Sequence, residues 1–189
     1  MRTNYLKEVF VEMDRRVSLA IINQKQLPNS IEYSFEKILE NNSLIYISLT
    51  KSAEDILTMV GELKEKMFII DVFSRETTYI NGIESNVIYI NNPANLTSIQ
   101  IAVDKALKKF PDATIMFDSL GVLSVYTDEK LFEKFIYLFN NKMNLNEKTV
   151  LFFAVKGSMD DEILSTIKQF CDKTYDFSEL YIESVELAH

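Results

Sequence analysis

Residues 114–123 read Thr114-Ile115-Met116-Phe117-Asp118-Ser119-Leu120-Gly121-Val122-Leu123. An apolar run closed by Asp-Ser reads as a strand buried on both faces and ending at a polar edge. The same kind of run recurs on either side. Upstream lie Val17–Ile22, Leu44–Leu49, Met67–Phe73 and a shorter one at Val87–Ile90; downstream lie Val150–Val155 and a last strand near Thr174–Phe177. Between them the apolar residues fall at helical spacing. Ile31, Phe35, Ile38 and Leu39 line a helix expected from Ile31 to Glu40, after a polar loop from Asn23 to Ser30. Ser52 and Asp55 form a capping-box pattern before a helix that should bury Ile56, Val60 and Leu63. Asn95 caps a helix from about Leu96 to Phe110, and Thr127 or Asp128 caps a long one to about Met143. The stretch with Gly121 and Tyr126 reads as a loop, and Asp161–Phe170 as a final helix.

Strands that alternate with helices imply right-handed crossovers and a mostly parallel sheet covered on both sides. The expected fold is a three-layer α/β domain. It has an N-terminal helix over 1–16, a core over 17–177 and an acidic C-terminal segment over 178–189. No linker, low-complexity tract or repeat divides it, so a single domain is expected.

Composition narrows the function classes. The 189 residues carry 28 acidic and 20 basic side chains, for a formal net charge of −8. That balance argues against a general nucleic-acid binder, which needs clustered Lys and Arg to neutralise phosphates. A single cysteine, Cys171, excludes an intramolecular disulfide framework and a cysteine-based zinc site. The first residues are charged and amphipathic rather than signal-like, and no apolar run is long enough to span a bilayer. A soluble, cytoplasmic protein without membrane insertion is the expectation.

Leu44–Asp55 resembles the second strand and following helix of the KaiC-like branch of the RecA-superfamily ATPases, and Phe68-Ile69-Ile70-Asp71 is similar to that family's next strand. Thr114–Leu123 resembles its Walker B strand with the Asp-Ser-Leu continuation, and Phe132, Phe135 and Lys148–Phe152 keep the register. The resemblance runs from about Val17 to Phe177 and implies a RecA/P-loop NTPase-like fold. It would also make Asp118 the Walker B aspartate that holds magnesium through water.

Two departures set expectations about chemistry. A P-loop wraps phosphates with backbone N–H groups on a glycine-rich turn finished by Lys-Ser/Thr. The matching stretch, Asn23-Gln24-Lys25-Gln26-Leu27-Pro28-Asn29-Ser30, has no glycine, and Pro28 removes a donor. Lys25 could meet an anion there and Ser30 could cap the next helix, but an ordinary strand-to-helix loop is the preferred reading. The resemblance would also place catalytic glutamates after the second strand, where this chain has Thr50 and Lys51. Glu54 and Asp55 come later and suit the helix N-terminus. With no catalytic residues, no metal and no cofactor expected, an inactive ATPase homologue is the reading.

The remaining candidates are few. Asp71, Asp118 and Ser119 are expected at the carboxyl edge of the sheet, where α/β folds bind ligands. They form a candidate small-ligand site together with Lys25 and Ser30. His189 has no partner in sequence, and Cys171 reads as a small buried hydrophobe. The long helix carries Leu131, Phe132, Phe135, Ile136, Leu138, Phe139 and Met143, more than one stripe needs. Its Phe132, Phe135 and Phe139 are therefore candidate interface residues. The polar 74–86 segment is a candidate functional loop.

The expected function is a regulatory or scaffolding interaction module, a homo-oligomer or the partner of another protein, without ATP hydrolysis. A non-hydrolysing nucleotide or small-ligand sensor is the alternative, and an accessory factor for an intact RecA-family recombinase a further one.

Overall fold

In the computed structural model, residues 4–74 and 86–180 are described. Seven parallel strands form one sheet: β1 (Val17–Ile22), β2 (Leu44–Ser48), β3 (Met67–Asp71), β4 (Val87–Tyr89), β5 (Thr114–Phe117), β6 (Val150–Val155) and β7 (Lys173–Asp176). Their spatial order is β4-β3-β2-β5-β6-β1-β7. Every residue of β1, β2, β3, β5 and β6 is buried, which is why these strands read as unbroken apolar runs. The edge strands β4 and β7 are only half-buried.

Helices cover both faces. On one lie α1 (Lys7–Glu12), α2 (Leu27–Asn41) and α3 (Ala53–Val60), packing Val9, Ile31, Phe35, Ile38 and Ile56 against Tyr46, Ile69, Met116 and Phe153. On the other lie α4 (Leu96–Lys109), α5 (Leu120–Tyr126), α6 (Glu129–Leu145) and α7 (Asp161–Phe170), packed on Ile47, Ile70, Phe117 and Phe152. The three-layer α/β expectation holds. Capping follows the sequence: Ser52 accepts from the N–H of Asp55, Asn95 from Ser98, and Asp128 from Leu131.

Three local readings are corrected. Helix α2 begins at Leu27, a turn earlier than expected, because Pro28 sits in its first turn, where a missing N–H costs nothing and a fixed φ is pre-organised. Leu63 is not buried by α3. That helix ends at Val60, and a 3₁₀ turn over Gly61–Lys66 leaves Leu63 exposed. The stretch after Ser119 is helix α5 rather than a loop, with Leu120 and Leu123 buried one turn apart. Gly121 fits there because a Cβ on it would lie 2.1 Å from Ser158 Oγ, so α5 can press against the β6–α7 turn only without a side chain. Most of the 74–86 segment and the last nine residues lie outside the described residues.

Candidate functional site at the carboxyl edge

The connections after β1 and β2 leave on one face of the sheet, and those after β5 and β6 leave on the other. Since β5 and β6 lie between β2 and β1, the carboxyl edge opens where neighbouring connections diverge. A cleft of about 340 Å³ sits there. It is lined by Gln24 and Leu27 after β1, Thr50 after β2, Ser119, Gly121, Val122, Val125 and Tyr126 after β5, and Val155 and Ser158 at the end of β6.

Asp118 lies behind this cleft, fully buried. Its Oδ1 accepts the N–H of Leu49 at 3.0 Å. Its Oδ2 accepts the Tyr46 hydroxyl at 3.0 Å, the Thr50 N–H at 3.0 Å and the Thr50 hydroxyl at 2.6 Å. Three of these four bonds fall on Oδ2 and one on Oδ1. Burial still pushes the Asp118 carboxyl above its ordinary value, against the lowering effect of those donors. Burial and the neighbouring carboxylate hold the Tyr46 phenol well above its usual range, so it stays a donor.

Asp71 is also buried and belongs to a different constellation. It accepts the Ala53 N–H at 2.7 Å, the Ser74 N–H at 2.8 Å and the Ser74 hydroxyl at 2.7 Å, tying the end of β3 to the start of α3. In register Asp71 is paired with Ser48, and Ile47 with Phe117. The backbones of Asp71 and Asp118 thus stand about 10 Å apart, two interstrand spacings. The structure does not bring the two carboxylates together. Among the described residues, no group of three or more His, Cys, Asp or Glu is placed to hold a metal ion.

The turn after β1 is closed on itself. The Asn23 side chain accepts the Gln26 N–H at 3.1 Å, and the Gln26 side chain accepts the Asn23 N–H at 2.7 Å. The buried Gln26 amide also donates to the carbonyls of Phe177 and Leu180. Two backbone donors that a phosphate loop would present thus serve the turn. Lys25 is exposed on it, outside the cleft lining. Ser30 does not cap α2. It lies within the helix, its hydroxyl donates to the Gln26 carbonyl, and Gln26 is the N-cap residue.

Ser119 is the predicted residue that reaches the cleft. It is only 3% exposed, and its side chain makes no capping bond to α5. The residues that sequence reasoning missed are Thr50 and Ser158, whose roles depend on strand neighbours far away in sequence. Tyr46 as donor to Asp118 carried no sequence signal beyond its alternation within β2.

The interface expectation for α6 is corrected. Phe132 and Phe139 are buried in the core, and Phe135 is partly buried, its ring 5.7 Å from that of Phe139. The exposed apolar residues are instead Leu131, Tyr137, Leu138 and Leu145. Cys171 is half-buried, and burial pushes its thiol up to about 12, which suits a packing role. No helix of the described residues is long and apolar enough to cross a membrane.

The model of a family described as "Family of unknown function (DUF7504)" matches residues 48–176, more than half of the chain. Over 167 residues the chain is 27% identical to the DNA-directed RNA polymerase subunit beta of Theileria parva, aligning 82% of this chain but 17% of that protein. It therefore spans less than a fifth of that relative's length. Among solved structures, a KaiC-like protein from the hyperthermophilic archaeon Pyrococcus horikoshii OT3 superposes with a TM-score of 0.59 at 13% identity. That match covers 90% of this chain and 75% of the other. At that identity the likeness is one of fold, and the fold is RecA-like.

Proposed function

The chain belongs to the family of unknown function DUF7504, and for it we propose a non-catalytic role: a RecA-like domain that regulates or scaffolds by binding and does not hydrolyse ATP. The observation that carries this reading is the engagement of Asp118 by four donors of its own chain. The RecA-like fold implies magnesium held near this strand end and bridged to phosphates. The residues here do not fit that ion, because the carboxylate that would hold its water is already occupied by Tyr46, Leu49 and Thr50. The glycine-free turn at Asn23–Ser30, closed by Gln26, supports the same conclusion, as does the absence of a carboxylate at Thr50 and Lys51.

Binding in place of catalysis is supported by α6. Leu131, Leu138 and Leu145 are exposed at seven-residue spacing, 51%, 54% and 85% respectively. An evenly spaced stripe is self-complementary about a two-fold axis through its middle residue. A second copy of this chain, antiparallel at α6, is the partner it fits. We place the protein in the cytoplasm, as a homo-oligomer.

The test is phosphate release and thermal unfolding with Mg-ATP and Mg-ADP. No turnover above buffer and no shift of the midpoint are expected. Turnover that disappears in Asp118→Asn would sink the reading. A second reading, a non-hydrolysing ligand sensor, is favoured by the cleft of about 340 Å³ at the carboxyl edge.

A further inference from the structure

We propose that residues 177–180, which follow β7, are a latch on the two turns after β1 and β6, and that releasing it loosens the walls of the carboxyl-edge cleft. This conformational device goes beyond both readings above and concerns the shape of the cleft, whatever enters it. The ladder between β1 and β7 ends with Asp176 opposite Ile21. One further backbone bond, from the Phe177 N–H to the Ile21 carbonyl at 2.8 Å, continues it. There the chain leaves the sheet and closes a turn, the Leu180 N–H donating to the Phe177 carbonyl at 3.1 Å.

Side chains from both cleft turns hold this segment down. Gln26, fully buried, donates its amide to the carbonyls of Phe177 at 3.1 Å and Leu180 at 3.3 Å. The Asn23 amide reaches the Ser178 carbonyl at 3.5 Å. Both belong to the turn after β1, whose Gln24 and Leu27 line the cleft. From the end of β6, Lys156 pairs with Glu179. Lys156 lies between Val155 and Ser158, which line the cleft as well. Gln26 carries the coupling. Its Oε1 accepts the Asn23 N–H at 2.7 Å, so the side chain that grips the latch also shapes a turn of the cleft wall.

The latch opens more easily than the rest of the fold. Phe177 and Ser178 are buried, but Glu179 and Leu180 are exposed. Past Phe177 no ladder bond holds the chain to β1, and the Lys156–Glu179 pair is exposed and worth little by itself. Segments with few buried contacts open at a fraction of the global unfolding free energy.

Hydrogen exchange of the full chain, read amide by amide, tests the latch in three variants. Gln26→Leu removes the gripping amide and keeps its bulk. Exchange at Phe177 and Leu180 is expected to quicken by about tenfold or more, the worth of two neutral hydrogen bonds. Leu180→Pro deletes the N–H that closes the turn, at an exposed residue outside the cleft lining. It should quicken exchange at Phe177 and also at Gln26 and Ser158, whose N–H groups close the two cleft turns. Glu179→Lys sets like charges together and should act in the same direction by up to about fivefold. Lys156→Glu added to it should restore the wild-type rates. Amides of β2 and β5 should keep their rates throughout.

Unchanged exchange at Phe177 in Gln26→Leu would overturn the latch. Fast exchange at Phe177 with unaltered rates at Gln26 and Ser158 in Leu180→Pro would overturn its coupling to the cleft, as would a charge swap that restores nothing. Quickening that extends equally to β2 and β5 would count against it too, as a loss of global stability rather than a release.

Discussion

Thr50 delivers both its backbone N–H, at 3.0 Å, and its hydroxyl, at 2.6 Å, to the same oxygen of Asp118. The pair locks the turn after β2 onto the end of β5 and sets the inner wall of the cleft. Thr50→Val keeps the shape and removes one charge-assisted bond. It should lower stability by about 1.5–3 kcal/mol, read from urea unfolding. A change below a few tenths would mean that the turn is held by other contacts.

Asp118 also makes stability depend on pH. Its native pKa is raised by burial, so the folded state binds the proton more strongly than the unfolded chain does. The favourable contribution is present below the ordinary carboxylate pKa and is lost as pH rises through the raised native value. The stability gap between wild type and Asp118→Asn should therefore be widest in acid and shrink across that window. Thermal melts of both proteins from acid to neutral pH check the sign, and a gap that grows toward neutrality contradicts it.

The contact between Gly121 and Ser158 makes a steric prediction. Gly121→Ala places a methyl 2.1 Å from Ser158 Oγ and 2.6 Å from Ser158 Cβ, so α5 or the β6–α7 turn must move. A loss of about 1–3 kcal/mol is expected. Adding Ser158→Ala should restore only part of it, because the Cβ clash remains. Full rescue by the double variant would show that the hydroxyl alone was in the way.

On α6, core and surface are separable by substitution. Phe132→Ala empties a fully buried site and should cost about 3–5 kcal/mol. Leu138→Ala, on the exposed stripe, should change monomer stability by no more than about 0.5 kcal/mol. Leu138→Glu should shift the light-scattering mass toward the monomer. An unchanged mass for that variant would remove the stripe from the proposed self-association.

The sheet was legible because its central strands are covered on both faces, so burial is written as continuous apolar runs that need no partner to be recognised. Caps at Ser52, Asn95 and Asp128 were legible for a similar reason: each bonds an N–H three residues away. Helix α6 shows where that legibility stops. Its apolar residues exceed one stripe, and sequence alone could not say which ones face inward; the sheet chose Phe132, Ile136 and Phe139 and left Leu131 and Leu138 outside. Helix α5 was hidden by Gly121, whose low helix propensity is outweighed by the close approach it permits.

The amino-acid sequence by itself determined the three-layer α/β plan, its strand and helix order, and the lack of glycine where a phosphate loop would turn. All of these depend on neighbours along the chain. Tertiary structure alone decided the state of the carboxyl edge. The four donors on Asp118 come from residues 46–50, the partners of Asp71 from α3 and from Ser74, and the cleft from four separate strand ends. A hydrogen bond depends on position in space, and strand order is what sets those residues side by side.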